Sequence, residues 1–263
     1  MQNNPIGVFD SGVGGTSIWK EIHKLLPLEN TIYLADSANA PYGKKSPEDI
    51  LRLSIKNTEI LLQHNCKIIV VACNTATTNA ITYLRETYTN VLFIGIEPAI
   101  KPAVLQSNSK TVGVLATKGT LSSSLFHGTV KNHAEGIKII EKEGEGLVPL
   151  IESGKATSVE AKDLLKTFLE PMLEQNIDYL VLGCTHYPYL IPVLKELLPA
   201  YVNIIDSGEA VARQTKAILE RENLLNRGNV ASSHKFYTNA DVSILRSFLK
   251  GAKATVNVAY LDF

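Results

Sequence analysis

Two cysteines stand in similar surroundings in the sequence. Cys73 lies in "VVACNTATT" at 70–78, and Cys184 lies in "LVLGCTHYP" at 180–188. Each follows a short apolar run and precedes a helix-like segment. A cysteine at a helix N-terminus meets free backbone N–H groups and the positive end of the helix dipole, which favour the thiolate. Two such thiols on opposite sides of one carbon could remove a proton from one face and return it to the other, which is a racemisation or epimerisation.

The elements that must position these thiols alternate along the chain. Short β-branched runs, among them "IGVF" at 6–9, "KIIVVA" at 67–72 and "YLVLG" at 179–183, are separated by amphipathic segments. This alternation predicts α/β layers with buried parallel sheets. In open parallel sheets the ligand site lies at the carboxyl ends of the strands. Both cysteines are expected at such an end.

The second half of the sequence repeats the first. Three landmarks recur in the same order: "IGVFDSGVGGTS" at 6–17 and "VGVLATKGTLSS" at 112–123, "ACNTA" at 72–76 and "GCTHY" at 183–187, "IGIEPA" at 94–99 and "IIDSGEA" at 204–210. They indicate two equivalent α/β units, with "PAIKPAVLQSNSK" at 98–110 as a linker. A pseudo-twofold relation between the units would place both thiols in one cleft. The pattern leaves open which unit the tail from about 211 joins.

Composition excludes several classes of protein. In 263 residues, 26 Lys and Arg balance 26 Asp and Glu, so there is no basic surface of the kind that nucleic acid or anionic membrane requires. The apolar runs are too short for a membrane span, and "MQNNPIGVFD" lacks the order of a signal peptide. Three scattered cysteines do not make a disulfide framework or a paired Cys-x-x-Cys zinc site. We therefore expect a cytoplasmic protein with free thiols.

Several polar residues near the two motifs are open to two interpretations. In "FDSGVGG", Asp10 and Ser11 offer a carboxylate and a hydroxyl at a strand end, or Asp10 simply closes an Asx-turn. His186 could shift protons, or it could be satisfied by a core partner. Glu152 could equally be a surface residue. Cys66 is interpreted as a small buried hydrophobe.

Taken together, the motifs resemble those of a known family. The segments are "IGVFDSGVGGTS", "APYG" at 40–43, "VVACNTAT", "IGIEPA", "VPLIE", "LGCTHYP" and "DSGEA". They are similar to those of the glutamate racemases, which are cofactor-independent members of the aspartate/glutamate racemase superfamily. Jointly they cover essentially the whole chain and are highly specific.

The resemblance implies a two-base mechanism without pyridoxal phosphate or metal. Cys73 would take the α-proton of D-glutamate and Cys184 that of L-glutamate, each returning a proton in the other direction. Asp10 would assist Cys73, and Glu152 with His186 would assist Cys184. The implied substrate contacts are Asp10, Ser11, Tyr42, Gly43, Asn74, Thr75, Thr185 and His186, with Thr77 and Thr117 as lesser ones.

The resemblance also implies an architecture and a cellular role. Residues 1–97 and 207–263 would form one domain and residues 98–206 the other, with the active site in the cleft between them. D-glutamate for peptidoglycan would be the product, made by a bacterial cytoplasmic enzyme that is a homodimer. The chain departs from the family pattern at Asn39, where an arginine is expected, and at 141–147, where a charged, glycine-rich stretch replaces a small apolar one.

Three other functions stay open at this point. An aspartate racemase would use the same thiols, although His186 favours glutamate because the aspartate enzymes are expected to have a glutamate there. A non-catalytic module that binds amino acids or anions could use the same cleft, but it has no need of two equivalent thiols. A cysteine hydrolase could use Cys184 and His186, but their adjacent positions predict poor geometry and Cys73 would have no role.

Overall fold

The computed structural model describes residues 2–228, 231–252 and 254–263. The chain divides into two compact units, one made of Met1–Ile96 with Gly208–Phe263 and the other of Glu97–Ser207. Every strand pair within the described residues is parallel. The predicted class, two α/β domains built on parallel sheets, is confirmed. The unit boundaries lie within one residue of the predicted domain boundaries; that each unit is an independent domain stays a prediction.

Strands and helices alternate over most of the chain. The strands are β1 (Ile6–Asp10), β2 (Thr31–Ala35), β3 (Ile68–Val71), β4 (Phe93–Gly95), β5 (Thr111–Ala116), β6 (Lys138–Glu143), β7 (Tyr179–Gly183), β8 (Asn203–Ile205), β9 (His234–Thr238) and β10 (Val256–Tyr260). The helices are α1 (Thr16–Leu25), α2 (Pro47–Gln63), α3 (Asn74–Thr87), α4 (Ile100–Gln106), α5 (Lys118–Leu121), α6 (Ser124–His133), α7 (Leu147–Glu152), α8 (Val159–Leu173), α9 (Ile191–Leu197), α10 (Gly208–Arg221) and α11 (Val242–Phe248).

The first unit has the strand order β10-β9-β2-β1-β3-β4. Every residue of β1, β2 and β3 is buried, as expected for central strands that are covered on both faces. Helix α1 buries Ile18, Trp19 and Ile22, which share one face. Helix α2 begins as its sequence predicts, because Ser46 caps it and Pro47 occupies its first turn.

The second unit has the order β6-β5-β7-β8. In both units the first strand of the repeat pairs with the second and third, and the third pairs with the fourth. The two halves of the sequence therefore fold with the same topology, which is what the internal repeat predicts. The third strand of each repeat leads to a cysteine of the predicted pair, since β3 ends two residues before Cys73 and β7 ends directly before Cys184.

The interpretation of 98–110 as a linker is wrong. Residues Ile100–Gln106 form α4, and Ile100, Ala103 and Val104 belong to the core of the second unit together with Val112 and Phe126. The apolar positions recur at the helical spacing of three and four residues, so packing on the sheet orders a segment whose prolines and polar end favoured a loop.

The tail adds strands to the first unit, because β9 pairs with β2 and β10 with β9. Within residues 2–228, 231–252 and 254–263, no helix is both long enough and apolar enough to cross a membrane.

Candidate active site

In the first unit, the residues that follow β1 and β3 lie at one edge of the sheet. These strands are neighbours, with Phe9 in register with Val71. Asp10 ends β1 and is fully buried, and its carboxylate accepts the N–H of Gly15 at 2.6 Å. A Cβ at Gly15 would approach the Cβ of Asp10 to 2.8 Å, so only glycine leaves room for this contact. The turn after β1 therefore holds the carboxylate beside the end of β3.

Cys73 occupies that neighbouring strand end. It is buried and caps α3, and its Sγ accepts the N–H of Ala76 at 3.4 Å. Its Sγ lies 3.5 Å from Oγ of Ser11, which in turn lies 3.5 Å from Oδ1 of Asp10. Thiol, hydroxyl and carboxylate thus form a short polar chain at the edge of the sheet.

The pKa of Cys73 differs from the sequence-based expectation. Burial raises it above the ordinary thiol value, and the negative charge of Asp10 raises it further. Hydrogen bonds from Ser11 and from the N–H of Ala76 lower it without offsetting these two effects. The helix N-terminus therefore does not offset the effects of burial and of the Asp10 charge on the pKa of this thiol.

The first turn of α3 presents further predicted contacts. Asn74 is 3% exposed, and its Oδ1 is buried without a hydrogen-bond partner among the described residues. Thr75 is buried beside it. Thr77 uses its hydroxyl within the unit, since it donates to the carbonyl of Val71 at 3.0 Å and accepts the N–H of Ile96 at 3.0 Å. A buried amide oxygen normally accepts a hydrogen bond, so Oδ1 of Asn74 is the atom of this turn that is available to accept one from a ligand.

Tyr42 belongs to a short 3₁₀ helix, Tyr42–Lys44, that also contains Gly43. The phenol is buried and donates to Oδ2 of Asp36 at 2.5 Å, while Nδ2 of Asn57 donates to the phenol at 3.2 Å. Burial and the charge of Asp36 raise the pKa of Tyr42 well above its ordinary value. Tyr42 is thus a neutral hydrogen-bond donor fixed by Asp36.

Sequence reasoning missed Asp36. It directly follows β2, and the same strand-end argument that selected Asp10 could have found it. Its Oδ1 accepts Nδ2 of Asn39 at 2.7 Å and Nδ2 of Asn239 at 2.6 Å. The asparagine that replaces the expected arginine therefore holds the carboxylate that fixes Tyr42.

In the second unit, three predicted residues form a continuous chain. Cys184 follows β7 and is buried, and its Sγ lies 3.8 Å from Nδ1 of His186. Nε2 of His186 lies 2.9 Å from Oε1 of Glu152, the last residue of α7. Thr185 is buried between the cysteine and the histidine in sequence. Glu152 is therefore not an isolated surface residue, and His186 connects it to the thiol.

The two cysteines have different local structures. Cys73 caps an α-helix, whereas Cys184 precedes a short 3₁₀ helix, Tyr187–Leu190, that leads into α9. The expected helix N-terminus is absent at Cys184, and an imidazole contacts the sulfur instead. The expectation of poor geometry between Cys184 and His186 is wrong, because the turn after β7 brings the side chains of residues two apart to one side.

Other residues complete the edge of the second sheet. Thr117 follows β5 and caps α5, accepting the N–H of Thr120 at 3.3 Å. Tyr187, which sequence reasoning also missed, is fully buried and donates to the carbonyl of Gly144 at 3.2 Å. Burial and the nearby Cys184 and Glu143 raise the pKa of Tyr187.

The remaining thiol and the acidic residues suggest no second centre. Cys66 is buried, and burial raises its pKa to about 12, so it stays a neutral thiol. Among the residues that the structure describes, no three His, Cys, Asp or Glu side chains are grouped so that they could hold a metal ion.

Comparison with known proteins identifies the family. The family model of Asp/Glu/Hydantoin racemase matches residues 6–215. A glutamate racemase of Stutzerimonas stutzeri is 45% identical over 237 residues, which are 90% of this chain and 89% of that protein.

Solved structures give the same result. Glutamate racemase of Francisella tularensis in complex with D-glutamate matches with a TM-score of 0.85 and 29% identity, over 98% of both chains. Escherichia coli glutamate racemase in complex with L-glutamate and the activator UDP-MurNAc-ala matches with a TM-score of 0.84 and 34% identity, over 97% of this chain and 99% of that one. The resemblance predicted from the motifs is confirmed, and the chain belongs to the glutamate racemases of the Asp/Glu/Hydantoin racemase family.

Proposed function

We propose that this enzyme interconverts L-glutamate and D-glutamate by a two-cysteine mechanism that needs no cofactor. The observation that carries the proposal is that each unit presents one buried cysteine at the carboxyl edge of its sheet, with its own proton-handling partners. One glutamate would engage both half-sites, with Cys73 facing one side of its α-carbon and Cys184 the other. The solved relatives with L-glutamate and with D-glutamate support this choice of substrate.

Binding of substrate would supply the positive charge that Cys73 lacks. An ammonium group placed between Asp10 and Oδ1 of Asn74 would neutralise the carboxylate and satisfy the unpaired amide oxygen. Both effects lower the free energy of a thiolate at Cys73. The thiol would thus become a base only when glutamate is present.

The substrate carboxylates would be held by hydroxyl groups and backbone N–H groups. Ser11, Thr75, Tyr42 and Gly43 would serve in the first unit, and Thr117, Thr185 and His186 in the second. Thr77, whose hydroxyl is engaged by Val71 and Ile96, would act mainly by holding α3 in place. Donors of this kind also stabilise the charge that develops as the α-proton leaves.

At Cys184, the proton would move through the imidazole. Glu152 accepts the N–H at Nε2 of His186, which leaves Nδ1 as an acceptor toward the thiol. Cys184 would then take the α-proton of L-glutamate, and it would donate a proton in the reverse direction. A cysteine hydrolase could use the same chain, but it would leave Cys73, Ser11 and Asp10 without a role, so racemisation accounts for more of the site.

The biological setting follows from the resemblance. The two units would act as domains, 1–97 with 207–263 and 98–206, in a homodimer located in a bacterial cytoplasm. The product D-glutamate would be consumed in peptidoglycan synthesis. The partners would be glutamate and a second copy of the chain, with neither nucleic acid nor membrane involved.

The test is incubation of the purified protein with L-glutamate in D2O without added cofactor. Circular dichroism follows the loss of optical activity, and proton NMR follows the loss of the α-proton. Both signals should decay, and Cys73→Ala or Cys184→Ala should abolish the decay. Cys66→Ala is the control, since this buried thiol has no part in the proposed chemistry and should leave the rate unchanged.

Other outcomes favour the other functions. Decay with L-aspartate in place of L-glutamate would indicate an aspartate racemase. No decay with either amino acid would contradict the proposal and favour a binding module. Retention of activity in Cys73→Ala would contradict a two-thiol mechanism.

A further inference from the structure

The segment before α7 is tied to the turn after β7 by a buried phenol. Tyr187 is fully buried and donates to the carbonyl of Gly144 at 3.2 Å. Its own N–H donates to the carbonyl of Cys184 at 3.0 Å, so the phenol and the reacting thiol belong to one turn. Gly144 follows β6, and its N–H donates to the carbonyl of Ala116 at the end of β5 at 3.0 Å. The phenol therefore connects Cys184 to the edge formed by β5 and β6.

The same carbonyl of Gly144 also contacts the first residue of α7, which is Leu147. The N–H of Leu147 donates to it at 3.3 Å, and α7 then runs to Glu152. Glu152 makes the second connection to the turn, through His186. Two connections thus join α7 to the turn that contains Cys184. At the first residue of the helix, Leu147 and Tyr187 donate to the same carbonyl, and at the last residue Glu152 contacts His186.

The packing of Tyr187 against Gly144 leaves no room for a side chain at position 144. A Cβ at this position would collide with the hydroxyl of Tyr187 and come within 2.9 Å of Cδ1 of Leu147. The unusual glycine-rich stretch at 141–147 therefore has a structural reason, since its first glycine makes space for the phenol. A real Cβ would have to displace the ring or the start of α7.

We propose that Tyr187, through the carbonyl of Gly144, is a positioning residue that sets the contact of Glu152 with His186 and so the proton transfer at Cys184. The inference rests on the proposed function and deepens it. If the hydrogen bond from the phenol of Tyr187 to the carbonyl of Gly144 is lost, α7 can shift at its first residue. His186 then loses the fixed acceptor at Nε2, and the barrier at Cys184 rises while the barrier at Cys73 does not.

Two variants test this inference. Tyr187→Phe removes the hydroxyl and keeps the buried ring, so the fold is retained. Gly144→Ala keeps the hydroxyl and displaces it. Tyr88→Phe is the control for the first, because the phenol of Tyr88 donates to the exposed Glu59. Gly128→Ala is the control for the second, because a Cβ there meets nothing within 4 Å.

The measurement is kcat/KM in both directions with glutamate that carries hydrogen or deuterium at the α-carbon. Tyr187→Phe should lower kcat/KM roughly threefold to tenfold, the usual effect of one hydrogen bond. Both directions must fall equally because the two enantiomers have the same free energy. The isotope effect should rise with L-glutamate, whose deuteron goes to Cys184, and fall with D-glutamate, whose deuteron goes to Cys73.

Gly144→Ala, like Tyr187→Phe, should raise the isotope effect with L-glutamate and lower it with D-glutamate. The two control variants should leave both isotope effects unchanged. A loss of activity with both isotope effects unchanged, or a lower Tm as the sole effect, would overturn the inference and leave Tyr187 a packing residue. In that case a wild-type protein that racemises glutamate still supports the proposed function. A wild-type protein that does not racemise glutamate contradicts the proposed function itself.

Discussion

Nε2 of His186 lies 2.9 Å from Oε1 of Glu152, and this contact determines what the other side of the imidazole can do. A carboxylate only accepts hydrogen bonds, so the ring proton is assigned to Nε2. Nδ1 then presents a lone pair toward Sγ of Cys184, 3.8 Å away. The second unit therefore contains a thiol with an adjacent base, whereas the thiol of the first unit is adjacent to a carboxylate and a helix N-terminus.

Glu152→Gln should lower kcat/KM about tenfold or more. The side-chain amide can present either its oxygen or its NH2 group to Nε2, so the tautomer of His186 is no longer fixed. Racemisation of L-glutamate followed by circular dichroism measures the effect. Glu160→Gln is the matched control, since Glu160 pairs with Lys155 at the surface and should not affect the rate. Equal rates for the two variants would contradict a role for Glu152.

Asn74→Ala should separate activity from stability. We expect kcat/KM to fall by about 10- to 100-fold, the effect of losing a hydrogen bond to a charged group of the substrate. The Tm should be unchanged or higher, because a buried acceptor without a partner is removed and alanine favours the first turn of α3. A lower Tm with unchanged KM would mean that the amide serves the fold instead.

Asp36→Asn should weaken the hydrogen bond that holds the phenol of Tyr42 in place. The carboxylate accepts from the phenol and from the side chains of Asn39 and Asn239. An amide has one oxygen, so one of these donors would face an NH2 group. We expect KM for glutamate to rise severalfold and the Tm to fall by a few degrees. Steady-state kinetics and thermal unfolding check the two effects.

Tyr42→Phe provides the comparison for Asp36→Asn. It removes the phenol hydroxyl and leaves the carboxylate with its two asparagines, so the KM effect should appear with a smaller loss of Tm. A KM that rises in Asp36→Asn and not in Tyr42→Phe would show that Asp36 acts through another residue.

Part of the site could be located from the sequence because strand ends carry local signals. Cys73, Cys184 and Asp10 each follow or end an apolar run, and parallel strands place such residues at one edge. The contact between Glu152 and His186 could not be derived in this way. The residues are 34 positions apart, and only the packing of α7 on the turn after β7 brings them together.

The fold was less predictable where sequence patterns were weak. Strand β6, "KIIEKE", is an edge strand with four of its six residues charged, so it lacks the continuous apolar run of a central strand. The sequence of helix α4 indicates a linker because prolines and polar residues surround its short apolar stripe. The raised pKa of Cys73 depends on burial beside Asp10, which no local pattern specifies.

Lys67→Met should destabilise the first unit strongly. Nζ of Lys67 lies 2.5 Å from Oε2 of Glu29, and the two side chains are 2% and 1% exposed. Nζ also donates to the carbonyls of Gln2 and Leu224. Removing the cation leaves a buried carboxylate without a counter-ion, although it still accepts the N–H of Asn226, at a cost of about 3–5 kcal/mol. Urea unfolding measures the loss.

A second substitution tests the reason for that loss. Glu29→Gln in the Lys67→Met background removes the unpaired charge and should recover part of the free energy of unfolding. A double variant that is no more stable than Lys67→Met would mean that the lost hydrogen bonds to Gln2 and Leu224 account for the effect.

His234 should make the protein less stable in mild acid. Burial lowers its pKa from 6.5 to about 4, and the neighbouring ring of His23, 4.7 Å away between centroids, lowers it as well. Nδ1 contacts the hydroxyl of Thr31 at 2.8 Å and Nε2 contacts that of Ser232 at 3.0 Å, so both nitrogens are engaged in the neutral form. The folded protein therefore disfavours the second proton that would make this ring an imidazolium.

The sign of the pH effect follows from linkage. Above about pH 6.5 the ring is neutral in both states, and His234 contributes no pH dependence. Between about 6.5 and about 4 the unfolded chain binds a proton that the folded protein does not, so stability falls as the pH falls. We expect the Tm to drop by roughly 3–6 °C over this range on account of His234.

The matched variants are His234→Gln and His133→Gln. His234→Gln keeps a hydrogen-bonding side chain without a titrating ring, so it should reduce the slope of Tm against pH between 6.5 and 4. His133 is exposed at the end of α6, and its substitution should leave the slope as it is in the parent protein. Equal slopes for the parent protein and His234→Gln would mean that the acid sensitivity arises elsewhere.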